Sequence, residues 1–353
     1  MAKTPTIQEL LQTTIDKKAS DLHIVLHSPP QIRVDGSLKP LSFPPLTAQE
    51  TKILCEEILS PEQKKYLEKG HEIDLSFSFE DKARFRLNIF KQQNSLAAAF
   101  RLIPNAIPDP NQLGLPEVVQ NLTLKPRGLI LVTGPTGSGK STTLAALIDR
   151  INTTCPDHII TIEDPIEFVH HHKKGLISQR EIGQDTQSFQ DALKYILRQD
   201  PDVVLIGEMR DLETIQAAIT VAETGHLVFA TLHTNNATQT INRIIDVFPP
   251  HQQSQVRTQL SFILEGILSQ QLIPKPKGGR ALALEVLIPG MAIRNLIRED
   301  KLHQIESQML MGQTESGMIT MDQSLVQLVK TQQISREVAL EHSSNPHELS
   351  RLI

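Results

Sequence analysis

Apolar positions follow two different rhythms along this chain. In the first hundred residues they alternate with polar ones: Ile73, Leu75, Phe77 and Phe79 are interleaved with Asp74, Ser76 and Ser78. One face of that stretch is therefore buried and the other meets water. It opens a strand meander, DLSFSFEDKARFRLNIFKQQNSLAAAFRLI. ASDLHIVLH and PQIRVDGSLKPL read as further strands, with Asp35-Gly36 as a hairpin turn. Helical stretches are expected near residues 48 to 69. A proline-rich segment, PNAIPDPNQLGLP (104–116), can continue neither pattern. It is expected to link a first domain, 1–103, to a second, 117–353.

Beyond the segment the alternation disappears. GLILVTG, IITIED, DVVLIGE and HLVFATL are apolar almost throughout and are separated by helical segments. Strands without a polar face, flanked by helices, predict a parallel sheet covered on both sides. The predicted class is α/β. From about residue 253 the tail is expected to be mostly helical, and no internal repeat or low-complexity segment is found.

Composition narrows the picture a little. The net charge of −5 offers no basic excess for a nucleic acid, and with no Trp and two Tyr stacking platforms are few. No apolar run approaches the ~20 residues that span a bilayer, and MAKTPTIQELL lacks a secretory signal pattern, so a cytoplasmic protein is expected. Cys55 and Cys155 are too few for a disulfide framework or a four-cysteine metal site.

The chemistry concentrates at the ends of the apolar strands. Gly134-Pro135-Thr136-Gly137-Ser138-Gly139-Lys140-Ser141, followed by Thr142, fits G-x-x-x-x-G-K-[ST] between a strand and a helix. Glycines let backbone N–H groups curl around phosphate oxygens. Lys140 reaches the β and γ phosphates, Ser141 offers a hydroxyl to Mg²⁺, and the helix dipole adds positive potential. ATP and Mg²⁺ are the expected ligands. Two further strands end in acids, Glu163 with Asp164 and Glu167 after the first, Glu208 after the second. Ligands of parallel sheets gather at the carboxyl ends of the strands. A hydrolysing site needs one acid to hold Mg²⁺, usually through water, and one to orient the attacking water. Glu163 and Glu208 are the candidates. His226 precedes the apolar strand LVFATL and His233 follows it, where an imidazole can bond a γ-phosphate.

These residues lie in longer motifs. EDPIEFVHHHKKGLISQREIGQDTQSF, RQDPDVVLIGEMRDLETIQAA and AETGHLVFATLHTNNATQTINRIIDVFPP resemble the Asp box, Walker B and His box of the secretion ATPases. Together with ASDLH, PPQIRVDGSL and AIRNLIRED, they make the chain similar, from about residue 5 to 330, to the type IV pilus retraction ATPases, the PilT family. The resemblance implies a hexameric ring in which a PAS-like α+β N-terminal domain precedes a RecA-like P-loop ATPase domain. It implies that Glu163 polarises the attacking water, that Glu208 holds Mg²⁺ through water, and that His226 and His233 carry the γ-phosphate signal. The residues alone leave the two glutamate roles exchangeable. It also implies arginines of the first domain that meet phosphates, for which Arg84, Arg86 and Arg101 are the matching candidates. Many members carry an arginine just after F-x-Q, where this chain has Gln93-Asn94. HHHKK (170–174) reads as a solvated loop within the Asp box.

In AIRNLIRED (292–300), Ile293, Leu296 and Ile297 fall on one helical stripe, and Arg294 and Arg298 sit four apart on another face. This is the family's retraction motif, so Arg294, Asn295, Leu296 and Arg298 are expected to couple hydrolysis to pilus retraction. The implied partners are further copies of the chain, an inner-membrane pilus platform protein and a second retraction ATPase; docking would place the ring at the inner face of the membrane. Alternatives are a PilU-type accessory retraction ATPase, an assembly ATPase, and a RecA-like nucleic-acid motor.

Overall fold

The computed structural model describes residues 5–34, 36–79, 83–103, 106–276, 278–311 and 316–353. Two compact units divide the chain, Met1–Ala106 and Ile107–Ile353.

In the first unit, helix α1 (Ile7–Asp16) starts at Thr6, whose hydroxyl accepts from Glu9 N–H while the Glu9 carboxylate accepts from Thr6 N–H. The same reciprocal cap, from Thr47 with Glu50 and from Ser60 with Gln63, starts α2 (Ala48–Glu56) and α3 (Pro61–Glu68). The strands are β1 (Asp21–Ile24), β2 (Gln31–Val34), β3 (Ser37–Pro40), β4 (Ile73–Phe79), β5 (Ala83–Gln92) and β6 (Ser95–Ile103). Among the described residues they form one sheet in the order β3-β2-β1-β6-β5-β4, its pairs all antiparallel. The alternation read in β4 and β5 buries Ile73, Phe79, Phe85, Leu87 and Ile89 with α1, α2 and Phe100 of β6. Of the expected Asp35-Gly36 turn, Asp35 lies outside the described residues. Gln93 and Asn94 form the two-residue turn between β5 and β6, both with φ near +50° to +57°. That is the left-handed geometry of a tight hairpin, which asparagine accepts readily.

The second unit is the α/β fold expected. Its strands are β7 (Gly128–Thr133), β8 (His158–Glu163), β9 (Leu176–Glu181), β10 (Val203–Ile206), β11 (Leu227–Leu232), β12 (Leu264–Pro274) and β13 (Arg280–Leu287). Their order is β13-β12-β7-β11-β10-β8-β9; every neighbouring pair is parallel except β12 with β13. The phosphate-loop strand β7 is thus separated from β8 by β11 and β10, so the carboxyl ends of all four lie side by side along one edge, where ligands of parallel sheets gather. Helices cover both faces. α4 (Glu117–Asn121) and α5 (Lys140–Thr154) bury Val119, Leu144, Leu147 and Ile151 on one. α6 (Phe189–Ile196), α7 (Leu212–Glu223), α8 (Ala237–Asp246), α9 (Pro250–Ile263) and α10 (Met291–Arg298) cover the other, with α11 (Ile305–Met311) beyond.

The tail is mostly helical as expected, with further helices at Met321–Lys330, Arg336–His342 and Pro346–Leu349, but β12 and β13 interrupt it and widen the sheet, because their buried runs need a strand partner across more than a hundred residues. The proline-rich segment divides at the unit boundary. Pro104 and Asn105 lie outside the described residues, while Leu115 is buried in the second unit and Gln120 Nε2 donates to Asn111 Oδ1 and Leu115 O, each at 2.9 Å. No described helix is long and apolar enough to cross a membrane.

Candidate active site

β7 is buried at every position and delivers the chain into the glycine loop. Gly134 has φ +142°, and a Cβ there would stand 2.3 Å from Gln270 O, so only glycine fits. Gly137 and Gly139 also have positive φ. Gly139 precedes α5 without a side-chain cap, which leaves first-turn N–H groups for an anion. Lys140 is buried, and its Nζ donates to Gly134 O (2.8 Å) and Pro135 O (3.2 Å). Burial lowers its pKa, against the pull of Glu208 and Glu167. Pro135, Thr136 and Gly137 are exposed at the tip, Ser138 is buried, and Ser141 and Thr142 lie half-buried in the first helical turn. A cradle closed to any Cβ at Gly134, with a lysine folded inside it, fits a polyphosphate.

The register sets the other candidates beside this loop. Leu232 of β11 is opposite Thr133, Ile206 of β10 opposite Ala230, and Ile162 of β8 opposite Ile206. Gly134, His233, Glu208 and Glu163 therefore follow one another along the carboxyl edge. Their environments differ. Burial pushes the Glu163 carboxyl up to about 7, only partly offset by hydrogen bonds from Thr161 Oγ1 (2.6 Å) and Gln179 Nε2 (3.2 Å). Burial also pushes Glu208 upward, but the Arg210 bond and charge (NH2–Oε2 2.7 Å) and His233 (Nε2–Oε1 3.3 Å) outweigh it and hold the carboxyl below its usual range. Two acids driven apart in this way suit two tasks. One can accept a proton at neutral pH; the other stays ionised for a cation. Arg210, Thr161 and Gln179 escaped the sequence reading, although Arg210 stands only two residues after Glu208.

His226 is not brought to the same edge. It precedes β11, and its Nδ1 lies 3.0 Å from Val221 O and 3.1 Å from Thr224 Oγ1. The six residues of β11 separate it from His233, seven steps and about 23 Å at ~3.3 Å per residue. HHHKK is not uniformly solvated: His170 is buried, with Nδ1 3.8 Å from Asp149 Oδ1, and burial lowers its pKa to about 4.

In the first unit, Arg33, Asp21, Arg101 and Arg86 stand directly opposite one another across β2, β1, β6 and β5. Residues so paired share a face. Arg101 Nε donates to Asp21 Oδ1 at 3.0 Å, and Arg86 makes a two-pronged pair with Asp74 at 3.2 and 2.7 Å. Arg84 NH1 lies 3.5 Å from Ser78 Oγ. The Arg101 side chain is still 73% exposed, so this face presents positive charge.

AIRNLIR forms α10, with Ile293 and Ile297 buried and Leu296 packed against the same core. Its two arginines do different things. Arg294 donates to Pro289 O (3.0 Å), Ser261 O (2.8 Å), Phe262 O (2.9 Å) and Glu265 Oε1 (2.8 Å). It thereby caps the carboxyl end of α9, whose last carbonyls have no helical partner. Glu265 also pairs with Lys125 (2.8 Å) and sits where the β12–β7 register shifts. Arg298 lies over the exposed Phe262 ring, 5.5 Å from its centre, and bonds Asn295. Arg294→Ala is expected to lower stability by roughly 2–3 kcal/mol in urea unfolding, because carbonyls and a carboxylate lose their donor. Arg298→Ala should change it by less than about 1 kcal/mol.

The profile of the "Type II/IV secretion system protein" family matches residues 2–343. The chain is 50% identical over 340 residues to the type IV pilus retraction ATPase PilT of Pseudomonas aeruginosa, covering 96% of this chain and 98% of that one. It is 47% identical over 346 residues to a twitching motility protein of Neisseria gonorrhoeae, covering 98% and 92%. A crystal structure of the pilus retraction motor PilT with bound ADP superposes with a TM-score of 0.93 at 53% identity, covering 98% of this chain and 99% of that chain.

Proposed function

Because the chain belongs to the type II/IV secretion system protein family, we propose that it is an ATPase motor whose hydrolysis of ATP drives type IV pilus retraction and hence twitching motility. The observation that carries this reading is the site's setting. The phosphate loop, Glu208 with His233, and Glu163 line one sheet edge, and an AIRNLIR helix is bonded through Arg294 to the strand beside β7. Backbone N–H groups of 134–142, Pro135 excepted, and Lys140 hold the phosphates. Ser141 and, through water, Glu208 would hold Mg²⁺, which supplies neutralising charge on the phosphates when bound. Glu163 takes the proton of the attacking water. His233 reads the γ-phosphate; His226, which the family motif pairs with it in carrying that signal, lies at the amino end of β11 beside Val221 and Thr224. Arg84, Arg86 and Arg101 meet phosphates within a homo-hexameric ring.

The ring docks on an inner-membrane platform protein, works beside a second retraction ATPase and needs no nucleic acid. Deleting the gene in the native host tests the reading. The expected result is excess surface pili with motility lost. Bare cells would make it an extension motor. Unchanged pili together with DNA-stimulated hydrolysis would make it another machine.

A further inference from the structure

We propose that Gln270 is a positioning residue for nucleotide binding: it holds the phosphate loop in its receptive shape from the strand behind it. The inference rests on the reading that residues 134–142 bind the phosphates of ATP. Ser269 of β12 is opposite Thr133 of β7, and Thr133 Oγ1 donates to Ser269 Oγ at 3.0 Å, so Gln270 stands beside Gly134 where the loop begins. Gln270 is 1% exposed.

It meets the loop in three places. Its main-chain oxygen occupies the space a Cβ at Gly134 would need, at 2.3 Å. Its Nε2 donates to Ser138 O at 2.7 Å. The same nitrogen lies 3.3 Å from the Cβ position of Gly139. One residue thus supports both ends of the loop and the carbonyl between them.

The physical reason concerns the direction of backbone dipoles. A phosphate cradle works when N–H groups face the anion and carbonyls face away. Gly134 O and Pro135 O are taken by Lys140 Nζ, and Gly139 O accepts from Thr143 N. Ser138 O is taken by Gln270. Without that donor a carbonyl just before Lys140 is free to turn toward the phosphates and repel them. Packing alone does not account for an amide here. Leucine fills a similar volume, whereas the Gln270 Oε1 is buried with no hydrogen-bond partner among the described residues, which is unfavourable.

Two variants test it, read by titration of fluorescent ADP into the full-length protein. Gln270→Leu keeps the volume and removes the donor; ADP affinity is expected to fall on the order of 10- to 100-fold. The unliganded melting temperature should move little, and its rise on adding saturating ADP should shrink. Gln270→Glu sets a carboxylate against the Ser138 carbonyl at neutral pH. Its affinity is expected to recover as pH falls, because the protonated acid donates again, and the recovery should exceed any change in wild type over the same range. Wild-type affinity in Gln270→Leu, or no recovery in Gln270→Glu, overturns the proposal. Should Gln270→Leu not fold, the Gln270→Glu series decides alone. If wild type itself binds no ADP, the phosphate-loop reading fails instead.

Discussion

Glu163→Gln is expected to slow ATP hydrolysis by roughly 10²- to 10⁴-fold, the usual contribution of a positioned proton acceptor, with ADP affinity nearly unchanged. The amide keeps the shape, and Gln179 Nε2 and Thr161 Oγ1 remain beside it. What disappears is a carboxyl that burial has brought up to about 7. Wild-type turnover should therefore rise with pH through about 7, as Glu163 loses its proton, and the residual turnover of the variant should lack that rise. Stability moves the other way. Between its ordinary 4.5 and about 7, the Glu163 carboxyl binds more protons folded than unfolded. Stability contributed there falls as pH rises through that window. Glu163→Gln should accordingly gain on wild type in urea unfolding at pH 8 and lose that margin near pH 5. Glu285, also raised to about 7 by burial, keeps its own share in both proteins. If Glu163→Gln turns over nearly as wild type while Glu208→Gln is inactive, the two acids exchange roles.

Lys140→Met is expected to weaken ADP and ATP binding by about 100-fold or more, the scale of losing a charge-assisted bond inside a buried cradle. Lys140 Nζ already lies within the loop, 2.8 and 3.2 Å from two of its carbonyls. Methionine retains most of the stem and removes the charge, so the folded protein should survive and calorimetric ADP binding should not. Undiminished ADP binding by Lys140→Met would show that the nucleotide sits elsewhere.

Much of this site was legible because its parts are contiguous. A glycine loop, a lysine and a helix start are written in nine successive residues, and each acid directly follows an apolar run. Their order across the sheet was not legible, since it depends on which strands pair. β12 was missed for a related reason: Gln270-Gln271 interrupts the apolar run ILSQQLIP, and the partner that makes it a strand is β7, over a hundred residues earlier. Gln270 lies in the same interruption. The AIRNLIR spacing did place Ile293 and Ile297 inward. It grouped Arg294 with Arg298, because i,i+4 positions share a face whatever lies beneath. Only the nearby carboxyl end of α9 separates them, one a cap within the subunit, the other resting on an exposed ring. In the first unit, the Asp21–Arg101 pair joins residues eighty apart, beyond any local pattern.

The Arg294–Glu265 bond also has a mechanical side. Glu265 and Gln270 are five residues apart on β12, about 17 Å at ~3.3 Å per residue. An extended strand hardly lengthens under tension, because at ~3.3 Å per residue it is already close to the ~3.6 Å that a fully extended chain can span. A pull on the AIRNLIR helix that arrives at Glu265 therefore reaches the seat of the phosphates as displacement, with little taken up by elastic give along the way. The strand is a tie rod between the two.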